Sequence, residues 1–237
     1  MTDTPAVVTR GLTRVFGEGD LAVRALDGVD LEIPSGQFVV LLGPSGSGKT
    51  TLLNVVGGID EATSGSVSVG GATLSELDAA GRTAFRRDHV GFVFQFFNLI
   101  PTLTALENVR LIAEIAGADE AASRAALESV GLGERLHNFP SGLSGGEQQR
   151  VAVARAVAKS PPLILGDEPT GALDLETGRA VLDLLRRLNV ERGMTMLLVT
   201  HSAVIAEMAD RVLHLRDGRI VGDARNERPK DASELEW

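Results

Sequence analysis

Residues 43–50, GPSGSGKT, match the pattern of a phosphate-binding loop, in which Gly-x-x-x-x-Gly-Lys is followed by Ser or Thr. The apolar run FVVLL precedes the pattern and the amphipathic run TLLNVVGG follows it, so a strand, the loop and a helix are expected in that order. The glycines let backbone N–H groups converge on phosphates, and the helix dipole adds to the attraction. Lys49 would contact the phosphates, and the Thr50 hydroxyl would hold Mg²⁺. An ordinary glycine-rich turn would not explain Lys49 and Thr50 together.

Two adjacent carboxylates, Asp167 and Glu168, follow the apolar run PLILG at residues 162–166 and suit a metal-bound nucleotide. Asp167 comes directly after the predicted strand and is placed to bind a water on Mg²⁺. Glu168 could orient and deprotonate the attacking water. For a pair of carboxylates alone, capping of the next segment would be the better interpretation. The phosphate-binding loop in the same chain favours the chemical role.

Polar residues also follow two other predicted strands. Gln95 comes after VGFVF at residues 90–94, and His201 comes after MLLVT at residues 196–200. A glutamine can reach a metal or a water, and a histidine beside a γ-phosphate can stabilise developing charge. Taken singly, each is more simply explained by hydrogen bonding in a turn or at the surface. Ligands bind beyond the carboxyl ends of strands in open parallel sheets, so these segments could deliver their polar groups to one edge.

A second helix start lies at residues 143–150, LSGGEQQR. Ser144 and Glu147 form a capping-box pattern ahead of a helical run, and a capping box requires no ligand. It leaves Gly145 and Gly146 unexplained, because a glycine in a helix costs about 1 kcal/mol relative to alanine. Glycines there would make sense if something large approached the backbone closely, and an anion is the natural candidate.

The elements that must position these residues belong to an α/β protein, because apolar strands alternate with helical patterns as in a mostly parallel sheet. Residues 12–35 and 64–73 are glycine-punctuated and alternating, which predicts a small antiparallel β subdomain. From 104 to 159 the pattern is almost wholly helical and predicts an inserted helical lobe. Residues 211–223 predict a hairpin that turns at Asp217 and Gly218. The polar residues after it are expected to be loosely held, although Trp237 could dock on the protein.

Composition limits the classes of function. The 237 residues carry a net charge of −9, which disfavours nucleic acid as a partner. Cysteine is absent, so disulfides, zinc–thiolate sites and thiol nucleophiles are excluded. The first ten residues have no basic segment followed by an apolar one, which argues against a secretory signal. No apolar run approaches the roughly 20 residues needed to cross a bilayer, so any role at a membrane requires another chain.

The ordered combination of GPSGSGKTT, LSGGEQQR and LILGDEPTGALD resembles the ATP-binding cassette ATPases, the nucleotide-binding subunits of ABC transporters. The resemblance covers residues 6–223 and implies a P-loop NTPase core with a helical subdomain inserted at about 97–159, followed by a polar tail at 224–237. It implies ATP and Mg²⁺ as cofactors and two copies packed head to tail. LSGGE of one copy would close over ATP held by the loop of the other. Each chain would then carry two half-sites, which explains the second helix start.

The resemblance also implies roles for individual residues. Glu168 would be the catalytic base, His201 the switch histidine and Lys49 a further catalytic group, while Thr50, Gln95 and Asp167 would hold the metal. Phe16 would stack on adenine, since the chain has no Tyr, although a core position is the plainer interpretation. The implied nucleotide-binding residues are Phe16, Ser45, Gly46, Ser47, Gly48, Lys49, Thr50, Thr51, Gln95, Ser144, Gly145, Gly146, Glu147 and the dimer-contact residue Asp174. Two departures from the family pattern, Gly166 and the sequence GALD, touch no catalytic group.

Within the family, FNLIPTLTALENV resembles the subunits paired with permeases that bear large extracytoplasmic domains. The chain would then lie on the cytoplasmic side of a membrane, bound to a separate permease. The run from Phe94 to Ile100 is partly lobe core and is predicted to form the groove for that permease through Phe94, Phe96, Phe97, Leu99 and Ile100. Two other functions are kept open: a soluble ABC ATPase serving translation or chromosome maintenance, and a P-loop phosphotransferase.

Overall fold

The computed structural model describes residues 4–236, so the predicted docking of Trp237 lies outside it. The described strands are β1 (Val7–Phe16), β2 (Val23–Ile33), β3 (Phe38–Leu42), β4 (Ser64–Val69), β5 (Ala72–Thr73), β6 (Val90–Phe94), β7 (Leu163–Asp167), β8 (Thr195–Thr200), β9 (Arg211–Arg216) and β10 (Arg219–Arg225). The α-helices are α1 (Lys49–Val56), α2 (Ala79–His89), α3 (Ala105–Ile115), α4 (Glu120–Ser129), α5 (Gly145–Val157), α6 (Leu175–Arg192) and α7 (Ala203–Ala206). Short 3₁₀ turns lie at Gly19–Leu21, Leu74–Glu76, Gly133–Arg135, Pro140–Gly142 and Ala232–Glu234.

The central sheet has the strand order β10-β9-β3-β8-β7-β6, and its neighbouring strands run parallel except at the β9–β10 hairpin. Every residue of β3 and β8 is buried, as expected for central parallel strands covered on both faces. The predicted α/β class, the four parallel strands and the hairpin are confirmed. One boundary differs, because Asp167 is the last residue of β7 and does not follow it.

The departure at Gly166 has a packing reason. A Cβ atom on this β7 residue would lie 2.5 Å from Leu198 Cδ2 on the neighbouring strand β8. Leu198 is fully buried, so it has little freedom to move away. The missing side chain at Gly166 therefore makes room for a core leucine beneath the end of the strand that carries the acidic pair.

The antiparallel sheet has the order β2-β1-β4-β5, which confirms the predicted β subdomain. It begins at Val7, five residues earlier than the sequence pattern indicates. Side chains on β3 alternate between the two sides of the central sheet. Val39 and Leu41 pack with α1 and the antiparallel sheet, whereas Phe38, Val40 and Leu42 pack with the helical side. The core therefore lies on both faces of the central sheet.

Helices α3, α4 and α5 pack on one another and form the predicted helical block. Capping boxes begin two of them, with Thr104 and Glu107 at α3 and with Ser144 and Glu147 at α5. The apolar faces of all three helices belong to the core cluster that also contains Phe38. The subdomain limits at 97 and 159 stay a prediction.

The prediction of a loosely held tail is wrong for residues 226–235. Strand β10 continues to Arg225, past the predicted domain limit at 223. Leu235 is fully buried and Ala232 nearly so, and both belong to the core cluster with α6. The Arg179 guanidinium donates a hydrogen bond to the Leu235 carbonyl. Two apolar residues in a polar segment therefore anchor it to the core.

In the described range, none of the helices has the length and apolarity that a bilayer span requires.

Candidate nucleotide site

The carboxyl ends of β3, β6, β7 and β8 border a cavity of about 920 Å³. This arrangement places the polar residues at one sheet edge, as ligand binding in open parallel sheets requires. The predicted site residues that line the cavity are Ser45, Gly46, Gly48, Lys49, Thr50, Thr51, Gln95, Asp167, Glu168 and His201. The remaining predicted residues, Phe16, Ser47, Ser144, Gly145, Gly146, Glu147 and Asp174, do not line it.

The phosphate loop ends at Gly48, which is the N-cap of α1 and has a left-handed φ of 103°. A Cβ at this position would lie 2.2 Å from the Ala25 carbonyl oxygen, so no other residue fits without a shift of the backbone. Since glycine offers no capping oxygen, the first N–H groups of α1 have no side-chain acceptor at the N-cap. A helix start of this kind can accept phosphate oxygens.

Lys49 is held inside the loop. Its Nζ donates hydrogen bonds to the carbonyl oxygens of Gly43, at 2.7 Å, and Pro44, at 3.0 Å. Ser47 is buried, and a Cβ added to Gly43 would lie 2.6 Å from the Ser47 Oγ, so Ser47 packs against Gly43 within the loop. The ammonium group is therefore fixed on the cavity side of the sheet, where it opposes negative charge.

The cavity holds oxygen ligands suited to Mg²⁺. Burial raises the pKa of Asp167 above its usual range, and the neighbouring Glu168 charge acts in the same direction, while Thr50 and Lys49 oppose the shift. Thr50 and Gln95 line the same cavity as Asp167. Mg²⁺ takes one or two protein oxygens together with substrate phosphates and needs no closed protein cage. The residues present therefore fit a metal that arrives with a nucleotide.

Glu168 is held by three hydrogen bonds. Its Oε2 accepts from the Thr200 hydroxyl at 2.8 Å, and its Oε1 accepts from the His201 backbone N–H at 2.9 Å and lies 2.7 Å from His201 Nδ1. Glu168 also has a positive φ of 47°, an uncommon conformation for a residue with a side chain. The His201 side chain is 71% exposed, so it can leave this contact. The carboxylate is therefore held in place and partly buried, whereas most of the His201 side chain is exposed.

The predicted second half-site lies outside the cavity. Ser144 is exposed and caps α5, where its Oγ accepts from the Glu147 N–H at 3.3 Å. The Ser144 N–H in turn donates to Glu147 Oε2 at 2.8 Å, which lowers the pKa of Glu147. LSGGE and the phosphate loop therefore do not meet within one chain.

The explanation offered for the two signature glycines needs correction at Gly146. A Cβ on this residue would lie 2.2 Å from Thr177 Cγ2 in α6, so the chain itself approaches the backbone there. At Gly145 an added Cβ would make only ordinary contacts, at 3.6 Å from Leu173 and 3.7 Å from Phe97. The interpretation of close approach by an anion survives only for Gly145.

Two further predicted residues are placed as follows. Asp174 is exposed and caps α6, accepting from the Thr177 N–H at 3.0 Å, and this bond lowers the pKa of Asp174. Phe16 is 39% exposed, and the Arg14 guanidinium lies 4.5 Å from its ring centroid. Phe16 is therefore not a core residue, and its role beside adenine stays a prediction.

Several residues at the cavity belong to no sequence motif. Thr200 positions Glu168, yet it reads only as a strand residue with no motif of its own. The cavity wall also contains Val23, Arg24 and Ala25, and the hairpin turn Asp217–Gly218. These residues come from the antiparallel sheet and from the distant hairpin. Their only available signal was the predicted turn, which says nothing about its neighbours.

The family described as ABC transporter matches residues 26–171, more than half of the chain. The chain belongs to this family, and it is an ATP-binding subunit that hydrolyses ATP. Family membership removes the phosphotransferase alternative.

Individual relatives cover nearly the whole chain. It is 46% identical over 235 residues to an uncharacterized ABC transporter ATP-binding protein of Mycobacterium tuberculosis, spanning 98% of this chain and 95% of that protein. It is also 46% identical over 226 residues to the macrolide export ATP-binding/permease protein MacB of Hyphomonas neptunium, spanning 94% of this chain but 35% of MacB.

Solved structures agree with the fold. A dimeric, post-hydrolysis structure of the ATP-binding cassette MJ0796, bound to ADP and Pi, has a TM-score of 0.86 and 43% sequence identity. The comparison covers 94% of this chain and 99% of that one. An MJ0796 protein of Methanocaldococcus jannaschii is itself 46% identical over 219 residues, spanning 89% of this chain and 93% of that protein. The predicted P-loop NTPase cassette is confirmed at the level of the fold.

Proposed function

We propose that two copies of this chain close head to tail around ATP and drive a separate permease from the cytoplasmic side of a membrane. The observation that carries the proposal is the separation of the half-sites, since Ser144 is exposed and lies outside the cavity that contains Lys49. A second copy of the chain can place its LSGGE segment over the cavity of the first. ATP makes contacts across such a seam that ADP does not, and only this difference in affinity can shift the equilibrium between open and closed copies.

Hydrolysis follows from the residues on the cavity wall. Glu168 accepts a proton from water, the water oxygen bonds to the γ-phosphorus, and the bond from that phosphorus to the bridging oxygen breaks to leave ADP and phosphate. Thr200 keeps the Glu168 carboxylate in place. Lys49 offsets charge on the phosphates. Thr50, Asp167 and Gln95 would hold Mg²⁺, which when bound neutralises charge that develops on the phosphate oxygens.

A second cavity of about 410 Å³ is the proposed groove for the permease. It lies against α2, β6 and α3, and its lining includes Ile59, Phe92, Phe94, Ile112 and Ile115. Of the five predicted groove residues only Phe94 lines it, and Phe96 lies at the nucleotide cavity instead. The predicted groove residues and the lining of this cavity therefore share only Phe94.

The groove is basic in an acidic protein. Among the described residues, its lining includes Arg86, Arg87, Arg155 and Lys159 and no carboxylate, although Arg87 is paired with Asp88. Burial lowers the pKa of Lys159 to about 8, so its charge is incompletely solvated. An amphipathic permease segment with a carboxylate beside its apolar face would fit this surface. Ile115→Asp should block co-purification with the permease, whereas Leu111→Asp, on the same helix but outside the groove, should not.

The proposed dimer is tested with Glu168→Gln, which removes the base and keeps the size of the side chain. With Mg-ATP, light scattering should show a dimer, and with ADP a monomer. The double variant Glu168→Gln, Ser144→Arg should stay monomeric, because the added side chain blocks the exposed N-cap of α5. A Glu168→Gln protein that stays monomeric at saturating Mg-ATP would contradict the head-to-tail arrangement. Hydrolysis at the normal rate would instead remove Glu168 from the role of base.

A further inference from the structure

Gln149 is a fully buried polar residue of α5, and the sequence analysis gives it no role at the nucleotide site. Its Nε2 donates one hydrogen bond to the Phe94 carbonyl oxygen, at 3.1 Å, and another to the Pro169 carbonyl oxygen, at 2.5 Å. The first carbonyl belongs to the last residue of β6, and the second lies in the loop that follows β7. A single side chain therefore joins the ends of two adjacent strands.

Both acceptors are neighbours of proposed site residues. Phe94 directly precedes Gln95, and Pro169 directly follows Glu168. The loops that follow β6 and β7 also touch elsewhere, since a Cβ on Gly171 would lie 3.0 Å from Gln95 Nε2. A shift of about 1 Å at a reacting group can lower a rate on the order of a hundredfold. The bridge therefore fixes groups whose separation matters for hydrolysis.

The chemistry of the amide explains why a glutamine is required. Both partners are carbonyl oxygens, so only the –NH₂ group can face them, and it uses one N–H for each. No described residue donates a hydrogen bond to Gln149 Oε1, which is also buried. A buried acceptor without a partner destabilises the fold, and such a group in a native structure calls for an explanation. Holding the end of β6 and the loop after β7 at once is a role that an apolar side chain of the same size could not fill.

Two other residues of α5 set this role apart. Gln148 is the adjacent residue and has the same side chain, yet its Nε2 donates to Leu143, in the approach to the same helix. Arg155 donates to the carbonyl oxygens of Phe97, at 2.8 Å, and Asn98, at 2.6 Å, but to nothing in the loop after β7. Among these three residues, Gln149 alone contacts both the end of β6 and the loop after β7.

We propose that Gln149 is a positioning residue for ATP hydrolysis, which sets Gln95 and Glu168 at their working separation through hydrogen bonds to the Phe94 and Pro169 carbonyl oxygens. The proposal rests on the roles proposed above for Gln95 and Glu168. Gln149 does not line the nucleotide cavity, so it acts through these two segments and leaves the phosphate loop untouched.

The test compares Gln149→Met, which keeps the length of the side chain and removes both donors, with Gln148→Met as the matched control. Gln149→Met should lower kcat on the order of a hundredfold. Its ATP affinity and KM should stay within about twofold of the wild type, since Lys49 and its loop are unchanged. Hydrogen exchange of the nucleotide-free protein should speed up at residues 95–98 and 168–171. Gln148→Met should match the wild type in kcat and in exchange at these residues.

Gln149→Asn is a second variant, which keeps the amide but shortens its reach, and it should show the same selective loss of kcat. A folded variant with wild-type kcat would overturn the proposal. Equal losses of kcat and ATP affinity, with faster hydrogen exchange throughout α5, would also overturn it, because they would show that Gln149 acts in folding alone. Failure of both variants to fold would have the same meaning. If Glu168→Gln hydrolyses ATP normally, the proposed role of Glu168 is wrong, and the exchange comparison still tests the bridge itself.

Discussion

Helices α1 and α5 both begin at glycine-rich segments, yet their first turns are used in opposite ways. The N-cap of α1 is Gly48, which has no side chain to offer, so the first N–H groups remain for a phosphate. The N-cap of α5 is Ser144, and its capping box with Glu147 already occupies donors at both residues. The first helix start can bind an anion by itself. The second can add contacts to a nucleotide that is already held.

The carboxylates of the two proposed half-sites have pKa values that are shifted in opposite directions. Burial raises the pKa of Asp167 in the cavity, so its ionised form is disfavoured by its surroundings. Hydrogen bonds from backbone N–H groups lower the pKa of Glu147 and of Asp174, so their ionised forms are favoured. In the proposed half-site for the triphosphate, a cation near Asp167 would therefore favour its ionised form. In the proposed covering half-site, the chain's own hydrogen bonds already do so.

The largest expected effect is at Lys49. Lys49→Ala should weaken ATP binding by about 3 kcal/mol, roughly a hundredfold in Kd, because a charge-assisted contact is lost and two loop carbonyls lose their donor. Titration with a fluorescent ATP analogue measures the change. Lys230→Ala is the control, since Lys230 lies on the surface, paired with Glu207. Retention of normal affinity by Lys49→Ala would mean that the N–H groups of α1 suffice.

The next largest effect is expected at Ser144, where a change should affect hydrolysis and leave ATP binding intact. Ser144→Arg should lower kcat on the order of a hundredfold, the scale of losing a preorganised donor, because the partner copy cannot close. The affinity of the monomer for ATP should not change, since Ser144 lies outside the cavity. Single-turnover hydrolysis and equilibrium binding measure the two quantities. A parallel loss of both would mean that α5 contributes to the nucleotide site of its own chain.

The sequence predicted the parts of the site that are encoded locally. Lys49, Asp167 and Glu168 lie within a few residues of the strands that position them, so an apolar run followed by a polar group was sufficient. The capping box at Ser144 is likewise a contact over three residues, and its pattern is visible without a structure. The convergence of these segments followed from the rule that parallel strands end at the same edge.

The parts that were missed depend on contacts between distant segments. Gly146 meets Thr177, and Gly166 meets Leu198, each over about thirty residues of chain or more. Leu235 is buried against α6 although its segment is polar in composition. Gln149 joins the last residue of β6 to the loop that follows β7. Such contacts depend on the packing of finished elements, and the pattern of a single segment does not contain that information.

Gly146 provides the third prediction. Gly146→Ala should destabilise the fold by about 1–3 kcal/mol, as expected when a methyl group is forced against a packed side chain. Thr177→Ser removes the obstructing Cγ2 and retains the hydroxyl that donates to Asp174 at 2.7 Å, so the double variant should recover most of the loss. Urea unfolding of the four proteins measures the coupling. Additive losses would show that Thr177 is not the reason for this glycine.

Gly145 is the counterpart within the same motif. A methyl group there would meet only ordinary contacts, so Gly145→Ala should keep the stability of the fold or raise it by up to about 1 kcal/mol. If a partner's nucleotide approaches this backbone, the ATP-driven dimer of the Glu168→Gln protein should weaken when the change is added. An unweakened dimer would leave both signature glycines with no role in binding.

The smallest expected effect is on how the stability of the fold depends on pH, which should have opposite signs for Asp167 and Glu147. The pKa of Asp167 is raised by folding, so its contribution to stability is fully present below the ordinary pKa of aspartate, about 3.9, and is lost as pH rises through the folded pKa. Asp167→Asn should therefore raise the melting temperature at pH 7 while Mg-ATP binding weakens.

The pKa of Glu147 is lowered, so its contribution to stability is present above the ordinary pKa of glutamate, about 4.3, and is lost as pH falls. Glu147→Gln should lower the melting temperature slightly at pH 7 and not at pH 3. Changes of the same sign in both variants would mean that the two half-sites do not differ in charge as described.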